Sequence, residues 1–175
     1  DTFKIGAPGK NSNVFGSWDT KRAGIFFTLD RNFAGGFSTQ GESTQGANVM
    51  PVYLKAENPI DLTQGFDDTD IEKLGDLGVN PRLMRRIYPN EIWGMFDEED
   101  DGDFFVSKLK EAGYDSALIT EPNPDTGEEV ETWVVFSPDQ IKSAVGNGGG
   151  FSNSPNILKQ GGETPPTGQL PPGRT

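Results

Sequence analysis

Glycine and proline recur so often in this chain, 23 and 13 times in 175 residues, that no long regular element can run unbroken. Glycine costs a helix interior roughly 1 kcal/mol relative to alanine, and proline about 3 kcal/mol. The elements must therefore be short, joined by many loops and held by a modest core, because only 33% of the residues are hydrophobic. Cysteine and histidine are both absent. That removes a disulfide frame, a thiol nucleophile, Ser–His–Asp and Cys–His triads, and the usual zinc, haem and iron–sulfur ligand sets. Lys+Arg number 15 against 27 Asp+Glu, a formal net charge of −12. Such a chain lacks the basic footprint of a phosphate-backbone binder, so no nucleic-acid partner is expected. No apolar stretch approaches the roughly 20 residues that span a bilayer, so no membrane partner is expected either. The length suits one domain.

Along the chain, residues 1–23 read as loop anchored by Phe3, Ile5, Phe15 and Trp18. GIFFTLD (24–30) reads as a buried strand, and RNFAGGF (31–37) as a helical turn closed by Gly35 and Gly36. The tetrapeptide STQG occurs twice within the polar stretch 38–48, which reads as loop. A strand is expected around Val52–Lys55, then a turn at Glu57-Asn58-Pro59. Thr69 and Glu72 have the spacing of a capping box, starting a helix that Gly75 and Gly78 weaken. Pro81 suits the first turn of a second helix, PRLMRRIY, and NEIWGMF continues the helical character. After the acidic run 97–103, a helix is expected with Phe104, Phe105, Leu109 and Ala112 on one face and Gly113 at its C-cap. YDSALIT (114–120) and EEVETWVVF (128–136) read as a hairpin across Pro124, Asp125 and Gly127. Ser137 and Pro138 suit the start of a helical turn over 137–144. The Pro/Gly arm at 159–175 cannot bury enough surface to fold alone.

The ordered segments GIFFTLDRNFA, VMPVYLKAENPIDL, YDSALIT and ETWVVFSPDQIKSAVGNGGGFSNSPNIL span about 24–158. Together they resemble the ADP-ribosyltransferase domain of phage and mobile-element polyvalent proteins, and VVFSPDQIKSA is their most specific part. In the wider poly(ADP-ribose) polymerase-like superfamily, GIFF resembles the Gly-Ile-Tyr-Phe strand. TWVVFSPDQ is similar to the Glu-Tyr-Ile-Val-Tyr-Asp-x-x-Gln strand. The resemblance implies an α+β domain over 1–158, an ADP-ribosyltransferase-like pair of split antiparallel β-sheets with short peripheral helices, clamping NAD as substrate.

Three positions do the work in such domains. A His or Arg on the first strand holds the adenosine ribose, an aromatic on the second stacks on nicotinamide, and a late Glu stabilises the oxocarbenium-like state as nicotinamide leaves. The resemblance places the aromatic at Phe26, in the strand that Gly24 opens. Counting back from Gln140 puts the Glu position on Thr132, with Glu131 one residue earlier. One residue flips a strand side chain to the opposite face, so Glu131 joins Phe26 only through a bulge. Glu129 and Glu131 share a face and resemble the Glu-x-Glu pair of arginine-specific members. Phe26 is thus either a stacking platform or a core residue, and Glu129 and Glu131 either catalytic carboxylates or an exposed acidic strand end.

The His-bearing strand of the family precedes a segment resembling DTFKIGAPGK, and the present sequence starts at Asp1. The expectation is a chain cut from a larger precursor or lacking that strand, and inactive alone. The function implied is transfer of ADP-ribose from NAD to a host protein. The alternative is a degenerate, non-catalytic fold kept as a structural or packaged virion component. Expected partners are a host acceptor or other virion proteins, with the C-terminal arm docked on a partner chain, in a phage virion or the bacterial cytoplasm. No metal is expected: DEEDDGD (97–103) lacks EF-hand spacing and reads as a solvated acidic run before a helix. Arg82, Arg85 and Arg86 read as a salt-bridged helix face, and GNGGG (146–150) lacks the Lys-Ser/Thr ending of a phosphate loop.

Overall fold

The hairpin that the sequence marks most clearly forms the centre of a four-stranded sheet, and the computed structural model builds everything else around it. The structure describes residues 22–39, 49–97, 101–123, 126–145, 150–154, 156, 158 and 159. Most of the N-terminal loop, the STQG pair apart from Ser38 and Thr39, the tip of the hairpin turn, GNGG and the C-terminal arm after Lys159 lie outside the described residues. In chain order the elements are β1 (Ile25–Thr28), α1 (Arg31–Thr39), β2 (Val52–Leu54), β3 (Pro59–Asp61), α2 (Asp68–Asp76) and α3 (Pro81–Met84). A 3-10 segment (Pro89–Phe96), α4 (Gly102–Glu111), β4 (Ser116–Pro122), β5 (Glu129–Val135), a 3-10 turn (Pro138–Gln140) and β6 (Ile141–Ser143) follow.

The larger sheet has the order β1-β5-β4-β3 and the smaller pairs β2 with β6, so the fold is α+β with two separate sheets. Every pairing is antiparallel except β3 with β4, which is parallel. One face of the larger sheet carries Ile25, Phe27 and Val135 against Val52, Leu54 and Ile141 of the smaller sheet. The other face carries Phe26, Val134, Ala117, Ile119 and Ile60 against the helices, through Leu74, Ile92, Phe96, Phe105 and Leu109. Each fully buried side chain of this kind contributes roughly 1.5–3 kcal/mol of transfer free energy.

Several elements differ from the sequence reading, each for a local reason. Helix α1 does not stop at Gly35 but runs to Thr39, started by Asp30, whose carboxylate accepts from the N–H of Asn32 (2.8 Å) and Phe33 (2.9 Å). The cap of α2 is Asp67, which accepts from the Asp70 N–H at 2.7 Å, so the Thr69–Glu72 box is not the one used. Asn80 caps α3, which ends after one turn, and the chain restarts at Pro89 as a separate 3-10 segment. On α4 the buried apolar residues are Phe105, Val106 and Leu109, whereas Phe104 is 39% exposed beneath the Lys108 ammonium.

Two strands stand where the sequence predicts a turn and a helical turn. The turn expected at Glu57–Pro59 leads directly into β3, an edge strand in which the proline's missing N–H is tolerated at the first position. Asp115 pins that entry by accepting from the N–H groups of Glu57 (2.7 Å) and Asn58 (3.1 Å). The helix expected over 137–144 is a 3-10 turn followed by β6. Gln140 ends that turn and ties three segments together. Its Oε1 accepts from the N–H of Phe136 (3.0 Å) and Ser137 (2.8 Å), and its Nε2 donates to the carbonyls of Lys55 (2.8 Å) and Asp115 (3.0 Å). Gln140→Leu keeps the bulk and strands four backbone groups, one buried and three partly buried, so urea titration should show a loss of about 2 kcal/mol. Next to it, Lys142 is fully buried on β6 and donates through Nζ to the carbonyl of Ser154 at 2.5 Å, holding the 150s segment. Burial holds its ammonium below the ordinary lysine range, with Asp139 opposing the shift.

Tyr114, between α4 and β4, donates its hydroxyl to Asp70 on α2 at 2.9 Å. Burial first, then the hydrogen bond and charge of Asp70, push the phenol from 10.0 up to about 12. The folded state therefore keeps a proton that the unfolded state releases between those values. The stabilisation is complete below pH 10 and disappears as pH rises to about 12. Tyr114→Phe should remove this component from a stability profile taken between those limits, and should remove a late-ionising component from the absorbance titration.

Candidate functional site

The β1–β5 and β4–β5 ladders pair residue for residue, so the side chains sharing a face can be read from the register. Phe26 pairs with Val134, Thr28 with Thr132, and Ile119 with Thr132, while Glu121 pairs with Val130. Phe26, Thr132 and Glu121 therefore share one face, with Thr132 lying diagonally between the other two. Glu131 pairs with Thr120, and Glu129 with Pro122, on the opposite face. Both are exposed. The ladder contains no bulge that would turn Glu131 toward Phe26, so the register separates the expected carboxylates from the expected platform.

Gly24 stands where β1 begins, with φ of +96°, and a Cβ there would lie 2.6 Å from Val134 Cγ1. Its lack of a side chain is what lets this end of β1 approach β5. Two residues earlier, the guanidinium of Arg22 lies over the face of Phe26, 5.0 Å from the ring centroid. It also lies 4.9 Å from the ring centroid of Trp93, on the 3-10 segment. Its Nε donates to Asp97 at 3.0 Å and one terminal nitrogen to Glu121 at 2.9 Å. A backbone bridge between Arg22 and Asp97 holds the two segments together. Phe96 and Phe26 pack edge-to-face, with ring centroids 5.8 Å apart.

This arrangement of two aromatic rings and two carboxylates suits a flat, delocalised cation. A desolvated cation–π contact contributes about 2 kcal/mol, and hydrogen bonds between ionised groups are roughly twice as strong as neutral ones. Glu121 is only 5% exposed and Arg22's side chain 28%, so the pairing is screened far less than a surface ion pair. Thr132 is 1% exposed, and its hydroxyl has no hydrogen-bond partner among the described residues. A buried polar group without a partner is costly, and here it sits on the face that holds the cation.

The sequence reading missed Arg22, Trp93, Asp97 and Glu121 as site residues. Glu121 had a usable signal: Ala117, Ile119 and Glu121 alternate along β4, which continues past the expected end at Thr120 to Pro122. The sequence predicts Asp97 at the start of a solvated acidic run, yet it is buried and paired with Arg22; residues 98–100 of that run lie outside the described residues. Arg82, Arg85 and Arg86 are exposed and make no ion pair among the described residues, so the salt-bridged face expected there does not form. Among the described residues no helix is long and apolar enough to cross a membrane.

No curated protein and no solved structure matches the chain. The model of one family, described as ADP-ribosyltransferase in polyvalent proteins, matches residues 1–151. That span takes in β1, the hairpin and the whole cation cluster, and with the two-sheet α+β fold it carries the assignment: the chain belongs to the ADP-ribosyltransferase family of polyvalent proteins.

Proposed function

We propose that this domain binds NAD at the β1 edge of its larger sheet, beside Phe26 and the partly exposed Arg22, and transfers ADP-ribose from it to a host protein. The observation that carries the reading is the shared face of Phe26, Thr132 and Glu121. Phe26 on β1 and Glu121 on β4 are each diagonal neighbours of Thr132 there, so a carboxylate stands one diagonal step from the late-strand position that the resemblance implies. In the reaction the bond between ribose C1′ and the nicotinamide nitrogen breaks, and its electron pair neutralises the pyridinium ring. An acceptor side chain then bonds to C1′ and releases its proton to solvent. Phe26 orients the departing ring, and the Glu121 carboxylate faces the positive charge that develops on the ribose. Glu131 and Glu129 are the alternative carboxylates, and they require a rearranged β5.

The test is nicotinamide release from NAD, together with transfer of labelled ADP-ribose to bacterial proteins. Measurable release from the wild-type chain, or from the chain extended upstream, supports the reading. Its absence from both favours the second reading, a non-catalytic domain packaged in a phage virion. Thr132 at the position of the family's Glu favours that reading. On either reading the arm at 159–175 is proposed to dock on a partner chain, in the virion or in the host cytoplasm.

A further inference from the structure

We infer that the cluster of Phe26, Trp93, Asp97 and Glu121 is a binding site for a planar aromatic cation, which Arg22 fills in the free protein and must vacate for the ligand. The inference rests on the proposed NAD reading for the identity of that cation, the nicotinamidium head group, but not for the existence of the site. Arg22 supplies the observation. A guanidinium is flat and spreads its charge over its whole plane, as a pyridinium does. This one lies 5.0 Å from one ring centroid and 4.9 Å from another, and donates to carboxylates on two separate segments. The residues around it come from β1, the 3-10 segment, its C-terminal end and β4, so the enclosure is built by the fold and not by one loop. Thr132 shares the face of Phe26 and Glu121, diagonal to each in the register, and its buried hydroxyl has no partner among the described residues, as is also true of Thr120 on the other face.

Arg22 is the most easily moved member. It stands just outside β1, three residues before Ile25, and keeps the largest exposure of the ion-paired groups in the cluster. When it swings away, one movement uncovers the ring face of Phe26 and frees the Glu121 carboxylate. The resident arginine thus blocks the platform and neutralises the acid at once. A ligand has to carry both a flat π-face and a positive charge to replace it, which selects a nicotinamidium over neutral nicotinamide.

The probe is 1-methylnicotinamide, a nicotinamidium without the rest of NAD, followed by quenching of tryptophan fluorescence. Arg22→Ala is expected to bind it about tenfold more tightly than wild type, because the internal competitor is gone. Neutral nicotinamide should quench neither protein at the same concentration. Trp93→Leu in the Arg22→Ala background, followed by calorimetry because the fluorescent reporter is gone, should abolish the gain, and Glu121→Gln in that background should weaken binding by about tenfold. Arg22→Lys covers the case in which Arg22→Ala does not fold. It retains a charge for Glu121 and Asp97, loses the flat fork, and should bind the probe several-fold more tightly than wild type. A folded Arg22→Ala or Arg22→Lys that binds the cation no better than wild type overturns the inference, as does equal quenching by neutral nicotinamide. Wild-type NAD turnover with unchanged cation affinity in the variants sinks this inference alone. Tighter cation binding without any turnover keeps it and sinks the transfer reading.

Discussion

Glu121→Gln is expected to lower nicotinamide release from NAD by about 100-fold or more, the scale on which losing one charge-stabilising group slows a group transfer. The glutamine keeps the shape and can still accept a hydrogen bond from Arg22, so the melting temperature should fall by only a few degrees. What it cannot do is face a developing positive charge with a negative one. Glu131→Gln and Glu129→Gln supply the contrast from the opposite side of β5, and each should stay within about threefold of wild type, as exposed substitutions generally do. The reverse pattern would show that β5 rearranges by one residue on binding and that the family's late-strand acid has moved to Glu131. Equal losses in all three would point to overall charge rather than to a site.

The second large effect falls on stability. Gly102, the first residue of α4, has no room for a methyl group: a Cβ there would lie 2.1 Å from the carbonyl oxygen of Phe96 and 3.0 Å from that of Asp97. The clash is with backbone on both counts, so no side-chain rotation relieves it. Gly102 also donates its N–H to the Asp97 carbonyl at 2.9 Å, which locks the start of α4 against the end of the 3-10 segment. Gly102→Ala should therefore destabilise the fold by about 3 kcal/mol, at or above the upper end for overpacking, readable as a lower urea midpoint with an unchanged slope. Its effect should also reach the cation site. Phe96 packs on Phe26 and Phe105, and Asp97 holds Arg22, so pushing that backbone aside moves both a wall and an anchor of the cluster.

The parts of the fold legible in the sequence were those whose signal is local and long enough to repeat. The β4–β5 hairpin announces itself by turn residues between two apolar runs, β1 by a compact aromatic run, and α4 by its period. β3 and β6 are three residues each, too short for any period, and exist because a partner strand is already in place. Asp67 outcompeted Thr69 as a cap because both are chemically suitable and the choice belongs to the packing that follows. For the site, counting from Gln140 placed Thr132 on the same face as Phe26, since β1 and β5 pair without interruption. Arg22 and Trp93 carried no such signal. One stands in a polar loop and the other in a helical run, and only the folded chain brings the guanidinium of the first against the ring of the second.

A ligand that enters by displacing Arg22 exchanges one set of contacts for another and adds few new ones. Stabilisation by a ligand grows as RT ln(1 + [L]/Kd), and the apparent Kd is raised by the small fraction of molecules in which the arginine has already left. A melting-temperature screen of the wild-type protein should therefore report almost nothing for a compound that fits the site well. The same compound should shift the Arg22→Ala variant upward by several degrees. Arg22 makes the domain look indifferent to its own ligand, and the variant is the form in which to search for one.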